Sequence, residues 1–211
     1  MILYYSPLSN YCSRVKFLVD YKNIEVHLTP PPGGYGSDTF KKISPTGTIP
    51  ALKHGNIIIS ESEIINEYLN DLYPNPAMLS NDIVLNAKIK MISKFHDNKL
   101  EPSIRFFFKF KKQTEYDYTE IINGFENVKK QLTILENIIH NTKYIVTDEI
   151  TLADCSFPSW FALFDIFCDH FNNQITLKGK IKNYYDNLLD NKFTKEQYNS
   201  YYENALKWSK E

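Results

Sequence analysis

Ile2-Leu3-Tyr4-Tyr5-Ser6-Pro7-Leu8-Ser9-Asn10-Tyr11-Cys12-Ser13-Arg14-Val15-Lys16-Phe17-Leu18-Val19 opens the chain and decides how it folds. The apolar opening reads as a short strand, Ser6-Pro7 as a turn, and Ser9 onward as the first turn of a helix. Free N–H groups and the positive end of the macrodipole at a helix N-terminus stabilise an anion or a thiolate. Redox sites place Cys-x-x-Cys there in a βαβ pattern. In this chain Ser9 holds the first position of that spacing and Cys12 the second. One thiol cannot make a dithiol, but a hydroxyl can donate a hydrogen bond to a thiolate that a ligand brings.

Outward from that stretch, residues 1–73 alternate short strands and helices. Val15, Leu18 and Val19 have helical spacing, Ile24 to Leu28 alternates as a strand, and Pro30-Pro31-Pro32-Gly33-Gly34 is a loop. Ser37 to Ile43 is a short helical turn. Ala51-Leu52-Lys53 and Ile57-Ile58-Ile59 flank His54-Gly55-Asn56, a hairpin signal with glycine in the turn. Ser60 to Tyr73 follows as a helix with Ile64, Ile65, Tyr68, Leu69 and Leu72 on one side. The order βαβαββα predicts an α+β domain with a mixed sheet and helices on its faces.

Tyr73-Pro74-Asn75-Pro76 ends this region, because each proline disfavours helix in the residue before it. The rhythm beyond it is helical, over 82–112, 119–141, 151–170 and 177–190. The expected division is a domain of residues 1–76 and an all-α bundle of residues 77–211. Pro102 is expected to kink or break the first of these helices. After it comes Ile104-Arg105-Phe106-Phe107-Phe108, aromatic around too much of its circumference for one buried face. Either this helix is buried on several sides or one or two rings line an apolar pocket. Thr151-Leu152-Ala153-Asp154 has the spacing of a capping-box variant, with Ile150 as a staple, and is a structural signal.

Composition excludes several classes. The 211 residues are 43% hydrophobic, and 24 Lys plus Arg against 25 Asp plus Glu leave a net charge of −1. That balance gives no general attraction to nucleic acid or an anionic membrane. Lys109, Lys111 and Lys112 read as a solvated helix face. The N-terminus lacks the pattern of a signal peptide, and the apolar run from Phe157 to Cys168 is too short to span a bilayer. Cys12, Cys155 and Cys168 make no disulfide framework, so a reducing cytoplasm is expected. The five histidines have no metal-ligand spacing.

Three segments of the first region form a set. Besides Ser9 with Cys12, they are Ser44-Pro45-Thr46-Gly47-Thr48-Ile49-Pro50-Ala51-Leu52 and Ser60-Glu61-Ser62-Glu63-Ile64-Ile65. A cis bond at Ile49-Pro50, accessible to proline alone at modest cost, would turn the Ile49 N–H and C=O outward to pair with an extended peptide-like ligand. Ser60 and Glu63 have capping-box spacing, which leaves Glu61 and Ser62 unexplained. The Ser62 hydroxyl and free N–H groups at a helix start suit a ligand carboxylate, and Glu61 suits a ligand amine. A small molecule with a peptide backbone, an α-carboxylate, an amine and a thiol would use all three places. Glutathione is such a molecule.

At these residues the chain resembles the cytosolic glutathione transferase family. The resemblance rests on Ser9 five positions before Arg14-Val15, Pro45-x-Gly47-x-Ile49-Pro50-Ala51-Leu52, Glu61-Ser62, Tyr73-Pro74 and Thr151-Leu152-Ala153-Asp154. It implies a thioredoxin-like glutathione-binding domain, a helical C-terminal domain and a homodimer. Ser9 falls where theta-, phi- and zeta-like members carry the serine that hydrogen-bonds the glutathione sulfur. Ile49 matches the backbone partner of the cysteinyl unit, Pro50 the cis-proline, and Glu61 and Ser62 the γ-glutamyl contacts. Ser44 stands where many members have Asn, and Thr48 where they have Lys or Gln. Lys41 and Lys42 are the candidates for the glycyl carboxylate.

The activity implied is transfer of the glutathione thiolate to small apolar electrophiles, with Ser9 stabilising the thiolate. The substrate pocket is expected among Cys12, Arg105, Phe106, Phe107, Phe108 and Trp208. Cys12 is either a competing nucleophile or a small buried residue facing the sheet. Two other readings stand beside the transferase: a glutathione-dependent isomerase or thiol transferase on the same fold, and a non-catalytic partner-binding protein.

Overall fold

In the computed structural model, which describes residues 1–111 and 115–210, the opening apolar run forms strand β1 (Ile2–Tyr4). Helix α1 (Asn10–Tyr21), β2 (His27–Thr29), α2 (Asp38–Lys41), β3 (Ala51–His54), β4 (Ile57–Ser60) and α3 (Ser62–Leu72) follow. The sheet order is β2-β1-β3-β4. β1 runs parallel to β2 and antiparallel to β3, and β3 pairs antiparallel with β4. This is the expected mixed sheet with its βαβαββα order. The β3–β4 turn closes on Gly55 at φ 57°, a left-handed conformation that glycine adopts without steric penalty.

β2 starts later than expected because Ile24 ends helix α1 instead of entering a strand. Asn23 takes a left-handed φ of 51°, and the Ile24 N–H donates to the Val19 carbonyl at 2.9 Å. Such a left-handed C-terminal turn satisfies carbonyls the helix leaves open. Buried Leu3, Val15, Leu18, Leu52, Ile65 and Leu69 make the core.

Helix α3 buries only part of the face that its apolar pattern suggested, namely Ile65 and Leu69. Ile64 is 51% and Leu72 is 42% exposed, whereas Ser62, Asn66 and Asn70 are buried. Hydrogen bonds admit these polar side chains: Asn66 Nδ2 donates to the Arg14 carbonyl at 3.3 Å, and Asn70 Oδ1 accepts from the Met78 N–H at 3.2 Å. Residues Met1–Leu79 form one compact unit and Ser80–Glu211 another. The proline segment belongs to the first, where the Lys22 ammonium donates to the carbonyls of Tyr73 (2.8 Å) and Pro76 (2.5 Å).

The second unit is helical, as expected. Its first helix is divided: α4 (Ile83–Phe95), a π-helical turn over His96–Leu100, α5 (Glu101–Arg105) and a 3₁₀ turn over Phe106–Phe110. Pro102 sits in the first turn of α5, where its missing N–H is least disruptive. Lys112 lies outside the described residues. Helix α6 (Tyr118–Ile138) starts on Asp117, whose carboxylate accepts the Thr119 N–H at 2.9 Å. Gly124 of α6 lets Phe106 and Phe107 approach, since a Cβ there would lie 2.6 Å from Phe106 Cε1.

The expected helix over 151–170 is a 3₁₀ turn (Leu152–Ser156) followed by α7 (Phe157–His170), which is buried nearly all round. The Thr151–Asp154 cap forms. Asp154 Oδ2 accepts the Thr151 N–H and O–H, each at 2.8 Å. Its Oδ1 accepts the Ile145 N–H at 3.1 Å and the Tyr184 O–H at 2.8 Å. One carboxylate thus joins the 145 loop, the 3₁₀ turn and α8 (Gly179–Asp190).

A last helix, α9 (Lys192–Lys210), was not anticipated from the sequence. Its Asn, Ser, Thr and Tyr content is a weak helix signal. Tertiary contacts hold it: Tyr198 Oη donates to Asp165 Oδ2 at 2.6 Å, and Tyr201 and Ala205 are buried. The spacing Thr194, Tyr198, Tyr201, Ala205, Trp208 was the readable signal. No described helix is long and apolar enough to cross a membrane.

Candidate active site

Sheet register brings the three first-unit segments to one edge. Tyr4 pairs with Ala51 and Ala51 with Ser60. The turn leaving β1 toward Ser9, the Ile49-Pro50 entry to β3 and the Glu61-Ser62 exit from β4 therefore leave the sheet at the same end.

Ser9 is the N-cap of α1, with φ −91° and ψ 118°. Its Oγ accepts the Cys12 N–H at 3.3 Å, and its side chain also hydrogen-bonds the Cys12 thiol. The side chain is half-buried beside the N-terminus of a 12-residue helix. Cys12 points into the core and is fully buried, so it lines no open surface.

Burial pushes the Cys12 thiol up to about 11, against opposing hydrogen bonds from Ser9 and Ser6. It is protonated at neutral pH and a poor nucleophile. Because the folded value lies above the ordinary 9.0, this group's contribution to stability is complete below pH 9 and is lost as pH rises from 9 through 11. Cys12→Ala should lessen the alkaline loss of stability in that window by about 1–3 kcal/mol, measured by urea unfolding at pH 8 and pH 11. Equal losses in both proteins would show that the thiol is not held protonated by burial.

The Ile49–Pro50 bond is cis, with Pro50 buried and Ile49 half-buried. Among the described residues neither the N–H nor the C=O of Ile49 makes a hydrogen bond. Just upstream, Gly47 at φ 65° lets the Lys41 stem pass close: a Cβ on Gly47 would lie 3.1 Å from Lys41 Cγ. Lys41 also pairs loosely with Asp38 at 3.9 Å, and Lys42 is exposed at the end of α2. Thr48 donates its hydroxyl to Thr46 Oγ1 at 2.9 Å.

The start of α3 departs from the expected Ser60–Glu63 box. Ser60 remains in β4, and its hydroxyl joins those of Ser44 (3.2 Å) and Thr46 (3.1 Å). Glu61 becomes the N-cap, exposed, at φ 70° and ψ 114° and without a side-chain cap bond. A non-glycine residue held at positive φ costs roughly 1–3 kcal/mol and persists where its surroundings over-determine it. Ser62 is buried, and its Oγ accepts from Arg14 Nη1 at 3.2 Å.

Arg14, 2% exposed, is the residue that sequence reasoning used only as a landmark. It ties α1 to the first turn of α3 and so connects the Ser9 and Glu61 segments. A charged residue inside an otherwise apolar helical face was its signal.

Of the expected pocket residues in the second unit, Phe107 is core: it packs on Phe125 at 4.4 Å and on Phe167 at 5.5 Å between ring centroids. Phe106 is half-buried over Gly124. Arg105, Phe108 and Trp208 do come together. The Arg105 guanidinium, also paired with Glu101, lies 5.2 Å from the Phe108 ring, whose centroid is 4.9 Å from that of Trp208. The aromatic run is thus divided, with Phe107 in the core and Phe108 partly open.

Comparison with known proteins bears on both units. Residues 3–77 match the family model "Glutathione S-transferase, N-terminal domain" and residues 95–174 "Glutathione S-transferase, C-terminal domain". The chain is 32% identical over 142 residues to glutathione S-transferase Z2 of Arabidopsis thaliana, covering 64% of this chain and 61% of that one. It is 30% identical to maleylacetoacetate isomerase of Rattus norvegicus, covering 71% and 72%, and 24% identical to a stringent starvation protein A homolog of Coxiella burnetii, covering 74% and 71%. Among solved structures, human glutathione S-transferase T1-1 has the same fold, with a TM-score of 0.83 over 99% of this chain and 90% of that one at 21% identity. With both domain models in order along the sequence and a relative of this identity covered over most of its length, the chain belongs to the glutathione S-transferase family, whose members take glutathione as cosubstrate.

Proposed function

We propose that this protein is a cytoplasmic glutathione transferase that detoxifies small apolar electrophiles. Glutathione extends along the Ile49 backbone edge, its γ-glutamyl group reaching Glu61 and Ser62. The Ser9 hydroxyl donates to its sulfur. The observation that carries this reading is the half-buried Ser9 at the α1 N-terminus, whose Oγ accepts the Cys12 N–H and whose hydroxyl would favour an incoming thiolate, the stronger acceptor, over the neutral Cys12 thiol. That donor and the helix dipole favour the thiolate, whose free-solution pKa is near 8.5. Conjugation then requires chiefly that the thiolate be held against its electrophile. Arg105, Phe106, Phe108 and Trp208 contribute to the electrophile's site. Lys41, drawn close to Gly47, is our candidate for the glycyl carboxylate.

The domain division expected at residue 76 stays part of this proposal. A homodimer is supported by the apolar side chains that α3 leaves exposed, Ile64 and Leu72. The test is a glutathione conjugation assay with a chloronitrobenzene and an isothiocyanate, alongside calorimetric titration with glutathione. Glutathione-dependent product with either electrophile supports the reading. Failure to bind glutathione at millimolar concentration overturns it in favour of a partner-binding protein.

A second reading, a glutathione-dependent cis–trans isomerase, is favoured by the similarity to the rat maleylacetoacetate isomerase. It uses the same thiolate. Product that regenerates glutathione without net thioether would distinguish it. The thiol-transferase reading through Cys12 is disfavoured by the burial of that thiol.

A further inference from the structure

The second unit contains a cavity of about 280 Å³ that the glutathione chemistry does not use. One wall is helix α6 and the other is the irregular strap 175–178 leading into α8. Leu132 and Ile181 are its buried apolar lining, and Ile175 and Leu177 alternate inward from the strap. Lys129, Thr133, Asn137, Thr176 and Lys178 supply the polar rim.

The charges around it can be assigned. Glu136 also borders the cavity, but its two oxygens accept the N–H groups of Lys180 (3.0 Å) and Ile181 (2.9 Å) at the start of α8. That helix N-terminus offsets the carboxylate's charge. Gly179 at φ 60° is required there, since a Cβ would lie 2.4 Å from Glu136 Oε1. Lys129 is paired with Glu126 at 2.7 Å. The exposed Lys178 ammonium makes no hydrogen bond or ion pair to a described residue. The rim therefore presents one uncommitted positive charge above an apolar floor.

Apolar cavities with a few polar groups at the mouth favour amphipathic ligands, and a volume near the lower end of the ligand-pocket range fits a small one. At about 30 Å³ per water, the space equals roughly nine waters, which suits a ligand of about ten non-hydrogen atoms. We propose that this cavity is a binding site for a medium-chain monocarboxylate, the alkyl chain against Leu132 and Ile181 and the carboxylate at Lys178. The site is separate from glutathione binding and does not depend on the transferase reading.

Octanoate is the probe, titrated calorimetrically into the full-length protein with and without saturating glutathione. One octanoate should bind at millimolar concentration or below, with affinity unchanged by glutathione. Octanol should bind about fivefold more weakly, and Lys178→Met should weaken octanoate by about the same factor, the effect of one partly exposed charge contact. Thr176→Trp, a change at an exposed rim residue, should cover the cavity mouth and abolish octanoate binding while leaving glutathione binding intact. Absence of octanoate binding to the wild type would overturn the proposal. So would equal affinity in the wild type and Thr176→Trp, or displacement of octanoate by glutathione. If octanoate does not bind and Thr176→Trp instead alters self-association, the cavity belongs to a second copy of the chain.

Discussion

Ser9→Ala should lower kcat/KM for conjugation by about 10–100-fold, the value of one hydrogen bond to a charged sulfur. The KM for glutathione should change little, because Ile49, Glu61 and Ser62 are untouched. The same loss should raise the pKa of the enzyme-bound thiol by about 1–2 units, read from thiolate absorbance across pH in the glutathione complex. Ser9 is also the N-cap of α1, so the alanine variant loses roughly 1 kcal/mol of stability for a separate reason.

Ser9→Gly separates the two effects. Glycine at an N-cap costs only a few tenths of a kcal/mol, while the hydroxyl is gone. A glycine variant as slow as the alanine variant but nearly as stable as wild type assigns the effect to the hydroxyl. Cys12→Ala is the control and should conjugate within about twofold of wild type, since a buried protonated thiol adds nothing to the bound sulfur. Wild-type rates in both Ser9 variants would remove Ser9 from the mechanism.

Asp154→Ala should destabilise the second unit by about 3–5 kcal/mol, the range for breaking a buried charged network. The carboxylate accepts hydrogen bonds from Thr151 N–H and O–H, Ile145 N–H and Tyr184 O–H, and it is fully buried. Burial raises its pKa, while these donors lower it. Truncation leaves the donors without a partner inside the protein, and each unsatisfied buried group costs about 1–3 kcal/mol. Denaturant unfolding followed by far-ultraviolet dichroism gives the number. Asp154→Asn retains one oxygen acceptor and should lose less. A loss below 1 kcal/mol in the alanine variant would mean that water replaces the carboxylate.

How much of this site was legible depended on whether the cause was local. A cis bond at Ile49-Pro50 could be considered because proline accepts one at modest cost, and the family resemblance pointed to this proline. The Thr151–Asp154 cap could be read from spacing alone because its residues are neighbours. Ser60 shows the limit. It has capping-box spacing with Glu63, but the box does not form, because Ser44 and Thr46, distant in sequence, engage its hydroxyl in the fold. Glu61 stands at the cap instead, at φ 70° and without a side-chain cap bond.

The sequence by itself determined the alternation of elements, the helical character of the second half and the three segments that the fold brings to one end of the sheet. Each of these follows from periodicity, turn chemistry or motif spacing within a short window. Tertiary structure alone decided how much of the apolar face of α3 is buried, that α9 forms, that Phe107 is core while Phe108 meets Trp208, and that Arg14 braces Ser62. These outcomes rest on partners far apart along the chain. Ser9 lies between the two cases: its place at a helix start was readable, but its hydrogen bond with the Cys12 amide and the burial of the Cys12 thiol appear only in the fold.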